Sequence, residues 1–532
     1  MSEVEYPKAV APPHGGNAAV ATRHADALHE KGQLDEAAAE YRRALGVDQT
    51  LADAWYGLGR VELDLGATGD AVKCFRRVLT LEPGRARAHF NLGKALFDLG
   101  EIDAALDYLR VAAEAPEAWL RHRALAAVAC IVPGSLRADH AAVLKTRREW
   151  ARLAAATEIG GGPQTPRPAA SDGKLRVGYC SRFFHAQNWM KPVWGVIHHH
   201  DRSAFAIHLF ADGPMPRPES GFRENTSDCV HDVRGLSNGE LANLVDRTGI
   251  DILVDLNGYS FPSRLGLFLR RPAPVTVTWF NMYATSGIEA FDYIIGDDVV
   301  IAPGEERFYC ERVLRVPGSY LAYSVPYPVP DVTPPPSAAA GHITFGSFCS
   351  LYKITDEVIA AWSTILRRAP AARLFLKNGT LGNATNREAV LERFARQDIP
   401  PDRLLLEGPA EHHHFLAAYA RVDIAVDTFP YNGGTTTMEA LWQGVPVLSF
   451  HGDRWASRQS HSLLRAAGLE DWCLPSLDAY VNRAVSLAQS PHTPAELASL
   501  RARMREHLAR MPVCDSAGLC RALERIYHEV TR

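Results

Sequence analysis

The segment VDTFPYNGGTTTMEALWQGVPV, residues 426–447, holds the residue types best suited to gripping a charged group. It reads as a buried strand ending at Thr428, a turn over Asn432-Gly433-Gly434, and a helix opening among Thr435, Thr436 and Thr437. Free backbone N–H groups and three hydroxyls would then converge at the carboxyl edge of a sheet. That place suits a pyrophosphate, which the helix dipole stabilises. Glu439, three residues beyond Thr436, could reach a ribose hydroxyl. A plainer reading stays open beside this one, in which Thr436 and Glu439 form a capping box for a helix closing at Gly444.

A second loop sits at the matching place in the same half. TFGSFCSLYKITDEVIAAWSTIL, 344–366, reads strand, loop, helix, with Thr355 the N-cap and Val358, Ile359, Trp362 and Ile365 the buried stripe. Lys353 stands just before that cap, and only nine residues of the chain are Lys. A cation there opposes the helix macrodipole unless an anion lies between them. If a diphosphate departs at this edge, Lys353 would neutralise the charge it develops.

Elements to position these loops follow from the wider pattern. Gly32, Gly66 and Gly100 lie 34 residues apart, as do Ala37, Ala71 and Ala105, and Tyr41, Phe75 and Leu109 keep the same register. Three such repeats over 18–119 predict antiparallel helix pairs of the tetratricopeptide type, a scaffold that binds polypeptides and has no chemistry of its own. Connecting helices and a Gly/Pro-rich linker fill 120–173. From there, short β-branched runs at 175–180, 205–211, 251–256, 275–280 and 292–297 alternate with helical stretches. A Pro-rich stretch, 326–336, interrupts the rhythm, which resumes at 342–348, 372–377, 403–408, 423–428 and 445–450. Two Rossmann-like lobes, 174–330 and 340–532, are expected to face each other across a cleft, the second closing with one long helix over about 494–530.

Other chemistry is excluded by what the strands lack. No G-x-G-x-x-G follows any of them and no G-x-x-x-x-G-K-[ST] occurs, which argues against dinucleotide and P-loop binding. The runs HHH at 198–200 and 412–414 read as helix ends facing solvent, since consecutive residues do not converge on one ion, and no metal site is expected. With 57 basic and 61 acidic residues, the net charge of −4 gives no field to hold nucleic acid. The longest apolar run, Ala124 to Val132, is far short of a membrane span. Nine scattered Cys without a CxxC pair and an N-terminus lacking a basic-then-apolar leader read as a cytoplasmic chain with reduced thiols.

The repeats, with LRVGY at 175–179, RPAPV at 271–275, TFGSF…KIT at 344–355 and the GGTTT segment, resemble the O-linked N-acetylglucosamine transferase/SPINDLY family. The resemblance implies a tetratricopeptide α-solenoid followed by a two-Rossmann, GT-B type inverting glycosyltransferase. It implies transfer from UDP-N-acetylglucosamine, or GDP-fucose in the SPINDLY branch, to Ser or Thr of a polypeptide bound through the repeats, with no metal required. By the same resemblance, Lys353 contacts the diphosphate, Gly434, Thr435 and Thr436 cradle it, Glu439 holds the ribose, and Ala410 meets the nucleobase through its backbone. Three positions depart from the family pattern. Gln187 stands where a His is often proposed as the base, leaving His185 two residues earlier as the candidate. Phe415 replaces another His and could stack on the base, and NMYATSG at 281–287 replaces GYPGTSG. A protein-binding adaptor with a degenerate transferase half is the alternative these departures raise.

Overall fold

The computed structural model describes residues 16–157, 173–325 and 327–532, so the N-terminal segment and almost all of the linker lie outside the described residues. Six helices open the fold: α1 (Gly16–Glu30), α2 (Leu34–Val47), α3 (Ala52–Asp64), α4 (Thr68–Leu81), α5 (Ala86–Asp98) and α6 (Ile102–Ala112). They stack as three antiparallel pairs, and Gly32, Gly66 and Gly100 take φ of 74°, 73° and 85° between the helices of each pair. Close approach needs the small residues. A Cβ at Gly59 would sit 2.8 Å from the Phe75 ring, and one at Gly93 would sit 2.7 Å from Leu109.

Two further helices, α7 (Ala118–Ile131) and α8 (His140–Thr157), lead toward the first sheet. That sheet contains β1 (Leu175–Ser181), β2 (Phe205–Ala211), β3 (Cys229–Asp232), β4 (Ile252–Asp255), β5 (Val275–Thr278), β6 (Tyr293–Gly296) and β7 (Arg312–Arg315). All its pairings are parallel, in the order 3-2-1-4-5-6-7. Helices α9 (Gln187–His199), α10 (Asn238–Thr248) and α11 (Gly266–Leu269) lie between its strands, and α12 (Ser337–Ala340) follows the Pro-rich connection.

The second sheet, also parallel, orders 10-9-8-11-12-13. Its strands are β8 (Thr344–Ser347), β9 (Arg373–Lys377), β10 (Leu404–Glu407), β11 (Ile424–Val426), β12 (Val447–Phe450) and β13 (Cys473–Leu474). Between and after them run α13 (Asp356–Arg368), α14 (Ala384–Ala395), α15 (His412–Ala417), α16 (Thr435–Trp442), α17 (Gln459–Ala466), α18 (Leu477–Gln489), α19 (Thr493–Leu508) and α20 (Ser516–Val530). The fold is therefore a tetratricopeptide solenoid joined to two Rossmann-like lobes. In each sheet the order reverses between two strands, β1/β4 and β8/β11, and those switch points are where α/β sheets leave a crevice.

The single closing helix expected over 494–530 is instead two. Met511 leaves the helical region, Pro512 follows, and Asp515 caps the new helix by accepting from the Gly518 N–H at 2.7 Å. The break lets α20 cross back onto the first lobe, where Tyr527 OH meets Tyr179 OH at 3.1 Å and Glu524 accepts from the Asp201 N–H at 2.8 Å.

The repeats are welded to the second lobe rather than hanging from it. Leu92, Leu96 and Leu99 share one core with Leu351, Ile354 and Val358. The Phe97 ring stacks on Tyr352 at 4.9 Å, and Arg393 donates to Leu99 O at 2.6 Å. No described helix is long and apolar enough to cross a membrane. Substituting Gly59→Val forces side-chain carbons into Phe75, so chemical denaturation should show a lower midpoint at unchanged m-value, equivalent to a loss of about 1–3 kcal/mol. An unaltered midpoint would show that the helices do not need this close approach.

Candidate active site

Asp427, directly after β11, organises the first loop. Its carboxylate is buried and accepts from the Gly433 N–H at 2.8 Å, the Thr428 N–H at 2.9 Å and the Ser449 hydroxyl at 2.7 Å. Burial raises its pKa, while these donors pull the other way. Asn432 donates to Thr428 O at 2.7 Å, and its own N–H is held by Ala456 O at 2.9 Å. The loop thus delivers Gly434 as the N-cap of α16, where no side chain caps the helix. Thr435 and Thr436 are partly exposed, and Thr437 is buried against Ser460 at 2.9 Å. A bare helix N-terminus beside two accessible hydroxyls can accept an anion.

The capping-box reading is thereby overturned. Glu439 does not reach back to the helix start; it is buried and ion-paired with Lys191 of α9, on the other lobe. Lys191 also meets His412 Nε2 at 3.1 Å and lies 5.2 Å from the Tyr327 ring centroid. Burial lowers the Lys191 pKa and Glu439 opposes that shift, whereas burial and the Lys191 charge push His412 down to about 4.

Lys353 ends a short 3-10 turn, and Thr355 caps α13 as expected, accepting from the Val358 N–H at 3.3 Å. The ammonium donates to Asn432 O at 2.7 Å and lies 4.0 Å from the Tyr431 ring centroid. Burial draws its pKa below the ordinary value, with Cys349 and Asp427 acting in the opposite sense. Cys349 Sγ is 3.4 Å from the Thr436 hydroxyl, which joins the two loops at the β8/β11 switch point.

Ala410 is exposed just ahead of Glu411, the N-cap of α15, so its backbone is accessible. Phe415 is half-buried, edge-on to Phe348 at 5.4 Å. His185 lies in the turn ahead of α9, in the first lobe. The turn before α9 is pinned by Phe184, buried and stacked on Trp194, and by Phe183, stacked on Trp189 at 4.4 Å, which leaves His185 exposed. Gln187 is the first residue of α9. Nor do the His runs simply face solvent. His200 is buried between Tyr179 OH at 2.8 Å and Glu524 at 3.0 Å, and His412 belongs to the Lys191 cluster.

Lys353 also borders a cavity where all parts of the chain meet. Its walls include Phe97 of α5, Arg147 of α8, Tyr259 and Tyr283 of the first lobe, and Tyr352 and Tyr431 of the second. Arg147 is buried and donates to Met282 O at 3.1 Å, Thr285 O at 2.7 Å and Ala129 O at 3.0 Å. It thereby holds the NMYATSG loop, whose Asn281 and Tyr283 adopt φ of 65° and 56° without being glycine. Asn281 braces that conformation by donating to Leu256 O at 3.1 Å and accepting from Tyr283 OH at 2.7 Å.

Comparison with known proteins settles the family. The profile described as Glycosyl transferase family 41 matches residues 163–323 and 336–523, and tetratricopeptide repeat profiles match 25–66 and 56–118. The chain belongs to glycosyl transferase family 41. It is 31% identical to a mutant O-GlcNAc transferase from Thermobaculum terrenum, with a TM-score of 0.80 covering 97% of this chain and 98% of that one. It is 33% identical over 371 residues, 69% of this chain, to a rice protein named a probable UDP-N-acetylglucosamine–peptide N-acetylglucosaminyltransferase SPINDLY, and 31% identical over 67% of this chain to the tomato one. The chain spans about two fifths of the length of these curated relatives, 40% and 39%.

Within this family-41 site, sequence patterns did not single out Lys191, Arg147 or the tyrosine walls. The scarcity of Lys was the one signal that could have drawn attention to Lys191. Replacing it alone, Lys191→Met, strands Glu439 as a buried, unpaired carboxyl and should cost about 3–5 kcal/mol. The double variant Lys191→Met/Glu439→Leu should recover most of it. Denaturation of the three proteins checks this, and a single variant as stable as wild type would contradict it.

Proposed function

We propose that this chain is an inverting transferase that moves a sugar from a nucleotide donor, with N-acetylglucosamine from UDP-N-acetylglucosamine the favoured pair, to Ser or Thr hydroxyls of a polypeptide. The observation that supports it most is the convergence of the Lys353 ammonium and the uncapped start of α16 at one switch point. In this reading the diphosphate lies against Gly434, Thr435 and Thr436, with Ala410 and Phe415 toward the nucleobase. The names of the curated relatives and of the Thermobaculum structure favour N-acetylglucosamine over fucose. The acceptor segment enters the cavity bounded by Phe97 and Arg147, which ties acceptor recognition to the repeats and to α8.

The reaction displaces the diphosphate at the anomeric carbon. The C–O bond to the leaving phosphate lengthens before the acceptor oxygen has closed in, so charge builds on the diphosphate first. Lys353 and the N–H groups of α16 take up that charge, and no metal is called upon for it. The acceptor proton is lost late and passes, directly or through water, to the departing diphosphate, so the step does not require Gln187, which cannot serve as a base at neutral pH. The exchange of Lys353 from Asn432 O and Tyr431 onto the phosphate needs only a short movement of a flexible stem.

Lys353→Ala should lower sugar transfer to a Ser/Thr peptide by two or more orders of magnitude, and Lys353→Arg should rescue poorly because a planar guanidinium does not replace a point charge here. Radiolabelled transfer from UDP-N-acetylglucosamine and from GDP-fucose measures both the effect and the donor. Activity of Lys353→Ala within a few-fold of wild type contradicts the leaving-group role. A wild-type chain that binds donor yet transfers nothing would favour the adaptor reading.

A further inference from the structure

A second set of chemically able side chains lies outside the donor loops. His451 directly follows β12, His461 sits in the first turns of α17, and Cys473 begins β13. Three separate elements therefore deliver two imidazoles and a thiol to one point, and their ligand atoms all lie within 4.8 Å of one another. The backbone there is fixed by the β12/β13 pairing of Ser449 with Cys473 and by the His451 N–H donating to Leu474 O at 2.8 Å.

Polar satisfaction at this point is incomplete. His461 Nε2 is buried from solvent and has no hydrogen-bond partner, and its nearest carboxylate oxygen, on Glu470, is 3.6 Å away. The two rings stack with centroids 4.1 Å apart and planes 9° from parallel. Cys473 is 7% exposed, whereas His451 faces solvent, so an ion has a route in.

We infer that His451, His461 and Cys473 form a zinc site, with Glu470 or water completing a tetrahedral set. Two imidazoles and one thiolate suit Zn(II), and ligand atoms now up to 4.8 Å apart would close by up to about 1.4 Å to reach the spacing that zinc imposes. Binding would form the Sγ–Zn bond and release the thiol proton to solvent, and turning the rings toward the ion would unstack them. The site is built into the support of the donor loop. His461 is adjacent to Ser460, which donates to Gly433 O at 3.1 Å and meets Thr437 at 2.9 Å, so an ion here would brace α17 beneath that loop. The inference stands apart from the proposed transfer reaction.

The test is uptake of zinc by the full chain in competition with a chelator of micromolar affinity, followed by substitution with Co(II). One zinc per chain is expected, with a thiolate-to-cobalt charge-transfer band in the near ultraviolet and strong tetrahedral visible bands. Cys473→Ser should abolish the charge-transfer band, and both it and His461→Asn should weaken zinc binding at least a hundredfold. His413→Ala/His414→Ala, which alters the exposed His run, should leave binding unchanged. A wild-type chain that takes up no zinc overturns the inference. So does zinc that persists equally in Cys473→Ser and His461→Asn, or that is lost from the His413/His414 variant instead.

Discussion

The buried carboxylate of Asp427 is the constraint from which the geometry of the candidate site follows. It stands at the end of β11 with two backbone N–H groups and the Ser449 hydroxyl aimed at it, and it folds residues 428–434 back on themselves. That turn presents Asn432 O to Lys353 and leaves Gly434, with no side chain to offer, at the head of α16. The helix therefore begins with unmet N–H groups at the place where the neighbouring loop supplies a cation. Removing the carboxylate would release the loop and separate those two features.

Around this centre the three parts of the chain behave as one body. The repeats share an apolar core with α13, and Arg147 from α8 fastens the NMYATSG loop by its carbonyls. Arg458 pairs with Glu305 through two contacts of 2.9 Å, and α20 returns from the second lobe to cover the first. The cavity beside Lys353 exists only because a repeat, a connecting helix and both lobes each supply a wall. The repeats are thus part of the site's architecture.

What could be read from the sequence was local. The 34-residue period, the ten main strands, the Thr355 cap and the two loops flanking β8/β11 all depend on residues close together in the chain. What could not be read depends on contacts between distant segments. Glu439 pairs with a lysine 248 residues away, so helix spacing alone wrongly offered a capping box. Arg147 serves carbonyls 135 and 138 residues on. The strands β3 (CVHD) and β7 (RVLR) carry charged residues where a buried run would be apolar, β13 has only two residues, and all three are edge strands that form against a neighbour already in place. The closing helix was misjudged because Pro512 outweighed an otherwise continuous helical pattern. Two aromatic stacks between residues of the turn and of α9 fix the backbone around His185, and nothing in the local sequence pattern announces them.

In the proposed function, Lys353 and the open end of α16 recognise a diphosphate. Calorimetric titration of UDP, GDP, uridine and guanosine into the wild-type chain and Lys353→Ala measures this without needing an acceptor or turnover. One diphosphate should bind at least a hundredfold more tightly than its nucleoside, and most of this difference should disappear in Lys353→Ala. Nucleosides that bind as tightly as their diphosphates, or a difference that survives loss of the ammonium, would contradict it.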